Sequence, residues 1–413
     1  MPPDRWLPLL GAIFLVGALF RVQFLTTLSG TLAVIIALTA WWRDHSLNSV
    51  KYTRKPFYRR AFPGESVPLT IEVENDKLLP LSWLRLEDPW PLAVGPELED
   101  QLAPSHLPDQ GFLTNVFNLR WYETKRRSYS LLFRSRGVYP VGPVRMQSGD
   151  IFGMYERSAE IGRAEYLTVF PELLPIETLK LPARDPFGDA RSRRKIFEDP
   201  NQPMGVRDYR PEDGFRRVHW PATARTGEIQ VKVYQPTAAR VAVVCMNAST
   251  SQRHWEGVYP ELLERMISVS ATLVDHFIRE GYQVGLISNS SLAHSDRPFN
   301  IPPGRSPRQL GRLLGALAGV TPLVMVPFES FLIKEMSKVP YGASLLIVTA
   351  IVPPELCDTL LKLKRRGRGI RLLSISPLPP ASIPGIPISH LQFDEDHPDL
   401  VTAPKSDRRV VGS

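Results

Sequence analysis

The sequence that decides the fold of the C-terminal half is Val241-Ala-Val-Val-Cys-Met246, followed at once by Asn247-Ala-Ser-Thr-Ser251. Six apolar residues that end in small polar ones are typical of a strand buried on both faces of a sheet. Strand-like and helix-like segments alternate after it. The predicted strands are 241–246, 282–288, 344–352 and 370–375, and the predicted helices are 261–280, 307–317 and 354–366. This alternation predicts an α/β domain over residues 240–392, with a mainly parallel sheet covered on both faces.

Asn247, Ser249 and Ser251 are the candidate metal-binding residues of this domain. Such sheets bind ligands beyond the carboxyl ends of their strands, where these residues are expected. Their spacing resembles the Asp-x-Ser-x-Ser loop with which von Willebrand A-like domains hold a divalent cation. Mg²⁺ needs oxygen ligands that include a charged one, and Asn247 supplies an oxygen without the charge. We therefore predict a turn that binds no metal, with a degenerate Mg²⁺ site as the alternative.

A segment rich in arginine precedes this domain: Gly205-Val-Arg-Asp-Tyr-Arg-Pro-Glu-Asp-Gly-Phe-Arg-Arg-Val-His-Trp220. Arginine can hold carboxylates or phosphates through two hydrogen bonds, and tryptophan can anchor a protein contact. We interpret the segment either as an internal salt-bridged network or as a partner-binding surface. The residues assigned to this arginine motif are Arg207, Tyr209, Asp213, Arg216, Arg217, Trp220 and Arg225. His219 is expected to be a structural hydrogen-bonding residue rather than a catalyst.

The arginine motif resembles the signature of a large prokaryotic family, domain of unknown function 58. The matching positions are 207–213, 216–218, Trp220 and 224–227, together with 136–139 and 150–153 upstream. Glu212 and His219 stand where the family commonly has a glycine and an acidic residue. The resemblance implies two N-terminal membrane spans, a β-rich segment, the motif and a C-terminal von Willebrand factor A-like domain of Rossmann type. It also implies a MoxR-type AAA+ ATPase as partner in membrane or envelope assembly.

Residues 46–180 show the short alternating runs of a β-rich domain. Apolar and polar residues alternate from Leu69 to Glu74, as in a strand with one face in water. The predicted strands are 67–73, 81–86, 112–122, 128–133 and 138–146. Strands at this spacing, bounded by Pro, Gly and Asn, are typical of a β-sandwich. Residues 181–239 are then a linker that carries the arginine motif, and 393–413 are a loosely ordered tail.

The N-terminal stretch from Trp6 to Trp42 carries Arg21 as its one formally charged residue. One helix of this length would measure about 55 Å, which is too long for a single crossing. We predict two spans, 6–20 and 24–42, that form a transmembrane helical hairpin over residues 1–45. The cations that follow are Arg43, Lys51, Arg54, Lys55, Arg59 and Arg60. By the positive-inside rule they place the soluble domains on the cytoplasmic face of the inner membrane; a cleaved signal peptide is the alternative.

Composition narrows the function classes for this multidomain α+β chain. Two cysteines among 413 residues are too few for a disulfide framework. A net charge of +8 fits an anionic membrane surface or an acidic partner, while acids interleaved in the arginine motif argue against nucleic acid. The sequence has no Walker A, HExxH or GxSxG motif. We predict a membrane-anchored adaptor or scaffold, without enzymatic activity or cofactor. The alternatives are a metal-dependent protein-ligand receptor and an enzyme or nucleic-acid binder that uses the basic motif.

Overall fold

The computed structural model describes residues 3–150, 155–179, 198–210, 218–236, 240–251, 257–293 and 295–392. The chain divides into two compact units, Met1–Pro171 and Glu172–Ser413. The first unit combines two apolar helices with mostly antiparallel sheets, and the second combines helices with a mainly parallel sheet. The predicted α+β class is confirmed. The predicted tail, residues 393–413, lies outside the described residues.

Two apolar helices open the first unit: α1, Leu7–Leu19, and α2, Gln23–Ser46. The helical path breaks between them at Arg21, whose φ of 53° lies in the left-handed region. Gly17 lies against Thr26 across the helix pair, where a side chain on the glycine would have its Cβ only 3.0 Å from the threonine methyl. The small residue therefore allows the two helices to approach closely.

The two helices differ in length relative to a bilayer. With 24 residues, α2 is about 36 Å long, and among the described residues it is the helix long and apolar enough to cross a membrane. The 13 residues of α1 measure about 20 Å, which is shorter than the roughly 30 Å hydrocarbon core. The structure also extends α2 beyond the predicted span 24–42, because helical hydrogen bonding continues through the polar turn after Trp42.

Short strands form the rest of the first unit. They are β1 (Val50–Pro56), β2 (Arg60–Ala61), β3 (Ser66–Asn75), β4 (Leu81–Pro91), β5 (Val94–Pro96), β6 (Leu102–Pro104), β7 (Gln110–Leu119), β8 (Thr124–Phe133), β9 (Gly137–Val141), β10 (Val144–Gly149), β11 (Glu156–Ile161) and β12 (Glu165–Val169). One sheet has the order β1-β3-β8-β5, a second has β11-β10-β4-β7-β6, and a small third has β2-β12-β9.

A shared hydrophobic core joins the two larger sheets. Leu69 and Ile71 of β3 pack in the same buried cluster as Trp90 of β4 and Phe117 of β7. The predicted alternation along β3 is confirmed, since its apolar residues are buried and the polar ones between them are partly exposed. Two antiparallel sheets around one core are the β-sandwich that the spacing of the strands predicts.

The predicted strand 138–146 is two strands, β9 and β10, and the prediction of one continuous strand is wrong. Gly142 between them has a φ of 84°, a conformation that side chains disfavour, and Pro143 offers no N–H for a ladder. A Cβ on Gly142 would also overlap the guanidinium of Arg54. The chain must therefore leave the sheet that contains β9 at this glycine before it enters the sheet that contains β10.

Arg54 and Asp88 form an ion pair inside the sandwich. Nε and Nη2 of Arg54 lie 2.8 and 2.9 Å from the two carboxylate oxygens. The Tyr52 hydroxyl and the Trp90 indole N–H donate to the same carboxylate at 2.7 and 3.0 Å. Burial opposes the charge on Arg54, but its hydrogen bonds to Asp88 raise its pKa. Counting Arg54 among the membrane-flanking cations is therefore wrong, because its charge is neutralised within the protein.

We expect Asp88→Asn to destabilise the first unit by about 3–5 kcal/mol, because it leaves the Arg54 charge buried without a counter-ion. The measurement is thermal and urea unfolding of the detergent-solubilised full chain, followed by tryptophan fluorescence. Glu72→Gln is the matched control, since Glu72 pairs with exposed Lys55 and Arg126, and it should change stability much less than Asp88→Asn does. Equal losses for the two variants would contradict the prediction.

The second unit contains the remaining elements. In chain order they are β13 (Glu198–Asp208), α3 (Trp220–Thr226), β14 (Gln230–Pro236), β15 (Val241–Met246), α4 (Pro260–Arg279), β16 (Gln283–Leu292), β17 (Ser295–Gly304), α5 (Gln309–Ala318), β18 (Val320–Val324), α6 (Phe328–Glu335), β19 (Ser344–Thr349), α7 (Pro354–Arg365), β20 (Gly369–Ser376) and β21 (Ile388–Gln392). β13 and β14 pair as an antiparallel hairpin.

The large sheet of this unit has the order β17-β16-β15-β19-β20-β21, with β18 also pairing with β16. The parallel strands are β16, β15, β19, β20 and β21, and β17 and β18 run antiparallel to β16. Helices α6 and α7 share a buried cluster with β15, β19 and β20, while α4 and α5 contact β15 and β16. The predicted mainly parallel sheet is confirmed.

Within residues 240–392, four strands and helices are not predicted from the sequence: β17, β18, α6 and β21. Strand β17 contains three prolines, at 298, 302 and 303, and proline in a run argues against a strand unless it lies at a sheet edge. The structure places β17 at that edge. With eight residues, α6 is too short to show a clear helical period.

Candidate functional site

The sheet topology of the second unit selects one edge as a candidate site. The chain passes from β15 to its neighbour β16 and later returns on the other side of β15 as β19. In open sheets, ligands bind outside the carboxyl ends of the strands where the strand order reverses in this way. That position lies between the ends of β15 and β19, which are followed by Asn247 and Ala350.

Three buried polar residues meet at this edge: Asn247, Asn289 of β16 and Thr349 of β19. Asn247 donates from Nδ2 to the Thr349 hydroxyl at 3.0 Å, and Thr349 donates to the Ile351 carbonyl at 2.6 Å. The main-chain N–H of Asn247 also extends the pairing with β19 through the Val348 carbonyl. The carboxyl edge is therefore closed by side chains of the sheet itself.

Asn289 holds the loop after β15 in place. Its Oδ1 accepts from the Ala248 N–H at 2.8 Å, which fixes the orientation of the amide, because only the oxygen can accept this bond. Its Nδ2 therefore faces Asn247 Oδ1 and Ser249 Oγ, each at 3.3 Å, and the Val326 carbonyl at 3.2 Å. The sequence analysis missed Asn289, although the polar run Ser-Asn-Ser-Ser at 288–291 at a strand end was a usable signal.

The candidate metal residues are partly brought together by this network. Asn247 and Ser249 lie side by side, since the Ser249 N–H also donates to Asn247 Oδ1 at 3.1 Å. Ser251 donates instead to the Gly257 carbonyl at 3.0 Å. Nδ2 of Asn289 lies between Asn247 Oδ1 and Ser249 Oγ, the two oxygens that would have to hold a cation. Because no carboxylate among the described residues joins this neutral donor set, the set does not fit a tightly bound Mg²⁺ ion.

A second candidate site is the arginine motif, whose described residues fold onto the β13–β14 hairpin. Gln230 at the start of β14 donates from Nε2 to Asp208 at 2.7 Å and accepts at its carbonyl from the His219 N–H at 2.7 Å. The Tyr209 N–H donates to the Ile229 carbonyl at 2.9 Å. Where the sequence indicates a loop, the described part of the motif contains strand β13, an isolated β-bridge and helix α3.

His219 caps the helix that follows it. Its Nδ1 accepts from the Ala222 N–H at 3.0 Å, which satisfies one of the free donors of the first turn of α3. Thr223 ties the same turn to β14, because its hydroxyl accepts from the Gln230 N–H at 3.0 Å. Gly227 ends the helix with a φ of 76°. His219 therefore acts as a structural hydrogen-bonding residue, as the sequence predicts.

Trp220 is the most exposed aromatic residue of the arginine motif among the described residues, with 67% of its surface accessible. Arg225 at the other end of α3 is exposed as well, and Arg207 donates from Nη1 to the Asp208 carbonyl at 3.0 Å. Three assigned residues, Asp213, Arg216 and Arg217, lie outside the described residues. The structure thus presents a large aromatic side chain on a helix whose backbone is fixed at both ends.

The residues 205–350 match the family described as Protein of unknown function DUF58, which confirms the family predicted from the arginine motif. This match covers less than half of the chain. The chain is also 22% identical over 245 residues to the Bacillus subtilis protein "Uncharacterized protein YeaD". That alignment covers 59% of this chain, and the chain spans 57% of the length of the relative.

Similar solved structures include the CARDB domain of the Pyrococcus furiosus PF1109 protein, at 8% identity and a TM-score of 0.19 over 29% of this chain and 89% of that one. Another is the Bacillus subtilis sporulation control protein Spo0M, at 17% identity and a TM-score of 0.19 over 32% of this chain and 54% of that one. Likenesses of this size assign neither a fold nor a function.

We expect Asn289→Ala to destabilise the second unit by about 2 kcal/mol or more, since it leaves the buried Ala248 N–H without an acceptor and removes one donor to Asn247 Oδ1. Thermal unfolding of the detergent-solubilised chain measures the effect. Ser330→Ala is the control, because Ser330 is exposed and bonds only its own helix start, and should shift stability by about 0.5 kcal/mol at most. A midpoint unchanged by Asn289→Ala would contradict the structural role.

We expect millimolar Mg²⁺ to leave the thermal midpoint of the second unit unchanged. A cation held by the folded state alone would raise stability with its concentration, whereas the Asn289 amide already bridges the two candidate oxygens. The measurement is a Mg²⁺ titration of the unfolding midpoint against a Ca²⁺ and an EDTA series. A saturable stabilisation by Mg²⁺ that Ser249→Ala removes would establish the metal site.

Proposed function

We propose that this protein is a membrane-anchored adaptor or scaffold that has no catalytic activity of its own and docks a protein partner through the arginine motif. The N-terminal helices hold it in the inner membrane as two spans, with both units on the cytoplasmic side. Its second unit acts as a von Willebrand A-like binding domain without a metal. The family resemblance suggests a MoxR-type AAA+ ATPase as the partner.

The length of α2 and the charge of the flank after it support the anchor. Without the buried Arg54, the exposed cations that follow α2 are Lys51, Lys55, Arg59 and Arg60, and Arg43 lies in its last turn. Five cations on one flank still satisfy the positive-inside rule. The short α1, packed on α2, completes a hairpin by tilting little or by thinning the bilayer locally.

The exposure of Trp220 is the observation that carries the docking role. Water-exposed tryptophan is unfavourable for a free surface, and tryptophan and arginine dominate the energetics of protein interfaces. The His219 cap and the Thr223 contact hold the backbone around Trp220, so little conformational entropy is lost on binding. An internal strut, by contrast, would bury the indole within its own chain.

The chemistry of the second unit supports a binding role over a catalytic one. The carboxyl edge of its sheet is filled by neutral amide and hydroxyl groups. Cys245 is completely buried in β15, and burial raises the pKa of its thiol, which suppresses the thiolate that a nucleophile needs. Among the described residues, no group of three His, Cys, Asp or Glu side chains is placed to hold a catalytic metal.

The test is affinity capture of the tagged, detergent-solubilised chain, with partners identified by mass spectrometry. We expect Trp220→Ser to lose the main partner while its thermal midpoint stays near wild type, because an exposed side chain contributes about 0.5 kcal/mol or less to stability. The double variant Arg216→Ala, Arg217→Ala should lose the same partner. Leu378→Ser is the matched control, since Leu378 is 79% exposed in the same unit.

Retention of the partner by Trp220→Ser would refute docking through this residue. A large drop in its thermal midpoint would show that the motif is a structural element instead. Loss of the partner from Leu378→Ser as well would show that capture reports general surface hydrophobicity and not the arginine motif.

A further inference from the structure

A cavity of about 320 Å³ lies in the first unit between the end of α2 and two loops of the sandwich. The polar and aromatic side chains that line it are Trp42, Ser82, Asn118, Arg120, Glu123 and Lys125. Trp42 belongs to the last turns of α2, where the apolar stretch ends. If α2 crosses the bilayer, as proposed above, the cavity is level with the phospholipid headgroups.

The two loops are fixed to the end of α2. Lys77 in the loop after β3 donates from Nζ to the carbonyls of Ser46, the last residue of α2, and of Asn48 just after it. The loop after β7 is joined to it, since the Tyr122 N–H donates to the Lys77 carbonyl at 3.2 Å. Asn75 completes the junction by donating to a carbonyl in each loop. The cavity therefore keeps its place relative to the helix end.

The donors of the cavity exceed its free acceptors. The Trp42 indole N–H is buried and has no hydrogen-bond partner among the described residues, and indole can only donate. The Glu123 carboxylate already accepts from the Arg120 N–H at 2.7 Å and lies 3.9 Å from Lys125 Nζ, which itself donates to Asn118 Oδ1 at 2.7 Å. With two cations and one carboxylate, the lining carries one net positive charge. It is suited to an anionic oxygen ligand.

The two loops that supply lining residues also expose apolar and aromatic side chains to solvent. Leu78 in the first loop exposes 72% of its surface, and Trp121 and Tyr122 in the second expose 63% each. Tryptophan and tyrosine of this kind concentrate at the headgroup level of membranes, where one end of the ring is apolar and the other is hydrated.

We infer that this cavity binds the phosphate of an anionic phospholipid in the leaflet that α2 enters. The Trp42 N–H, Arg120 and Lys125 hold the phosphate oxygens, and Leu78, Trp121 and Tyr122 enter the interface around the acyl-chain ends. The bound lipid fixes the sandwich against the membrane surface. This inference rests on the membrane anchor of the proposed function and adds a defined lipid site to it.

The experiment is native mass spectrometry of the full chain in detergent, titrated with phosphatidylglycerol. We expect wild type to retain one lipid tightly, and Trp42→Phe, which keeps a ring and removes the donor, to weaken that binding about tenfold. Arg120→Gln with Lys125→Gln should weaken it at least as much. Trp41→Phe and Lys51→Gln are the matched controls and should bind as wild type does.

Two further measurements separate the possible failures. Inorganic phosphate at millimolar concentration should not displace the lipid. If phosphate competes with the lipid at equal concentration, the cavity is an ion site and the lipid inference is overturned. Carbonate extraction of native membranes tests the anchor itself. If the chain stays in the membrane while Trp42→Phe binds lipid as wild type does, the cavity inference fails and the anchor stands; if the chain is washed out, the anchor fails.

Discussion

The side-chain amide of Asn289 is the interaction on which the second unit depends. It is completely buried in β16 and holds the loop that leaves β15, including Asn247 and Ser249. A buried amide is tolerated only when its donors and acceptor are all engaged, and here they are. Because the Asn289 side chain is neutral, it holds the loop without an ion pair. Asn247 and Ser249, the residues that it joins, carry no charge, whereas Mg²⁺ sites usually include a charged ligand.

In the first unit the buried polar side chains that join distant segments are charged, not neutral. Arg54 and Asp88 meet through two hydrogen bonds, and Tyr52 and Trp90 donate two further hydrogen bonds to the carboxylate. A buried ion pair is stable only when its geometry and its further hydrogen bonds offset desolvation. Gly142 is part of that solution, because a side chain there would overlap the guanidinium. The pair therefore couples β1, β4 and the β9–β10 connection into one element.

The sequence predicts local structure here much better than it predicts contacts between distant segments. The predicted strand 241–246 coincides with β15 and the predicted helix 261–280 with α4. Both predictions depend only on the pattern of apolar residues within the segment itself. Arg54 was misassigned to the membrane flank because its partner lies 34 positions away. Asn289 was missed for a similar reason, since its role follows from the register of β15 on β16. The exposure of Trp220 likewise depends on how the motif folds on its hairpin.

The fixed backbone around an exposed tryptophan favours recognition over internal support. A structural tryptophan lowers the free energy of its own chain by leaving water, yet Trp220 keeps two thirds of its surface accessible. Meanwhile His219, Thr223 and Gln230 use their hydrogen bonds to hold the turn that presents it. These bonds stabilise the start of α3, and the ordered backbone also lowers the entropy that a partner must overcome on binding. The arrangement supports the proposal that a second protein buries the indole.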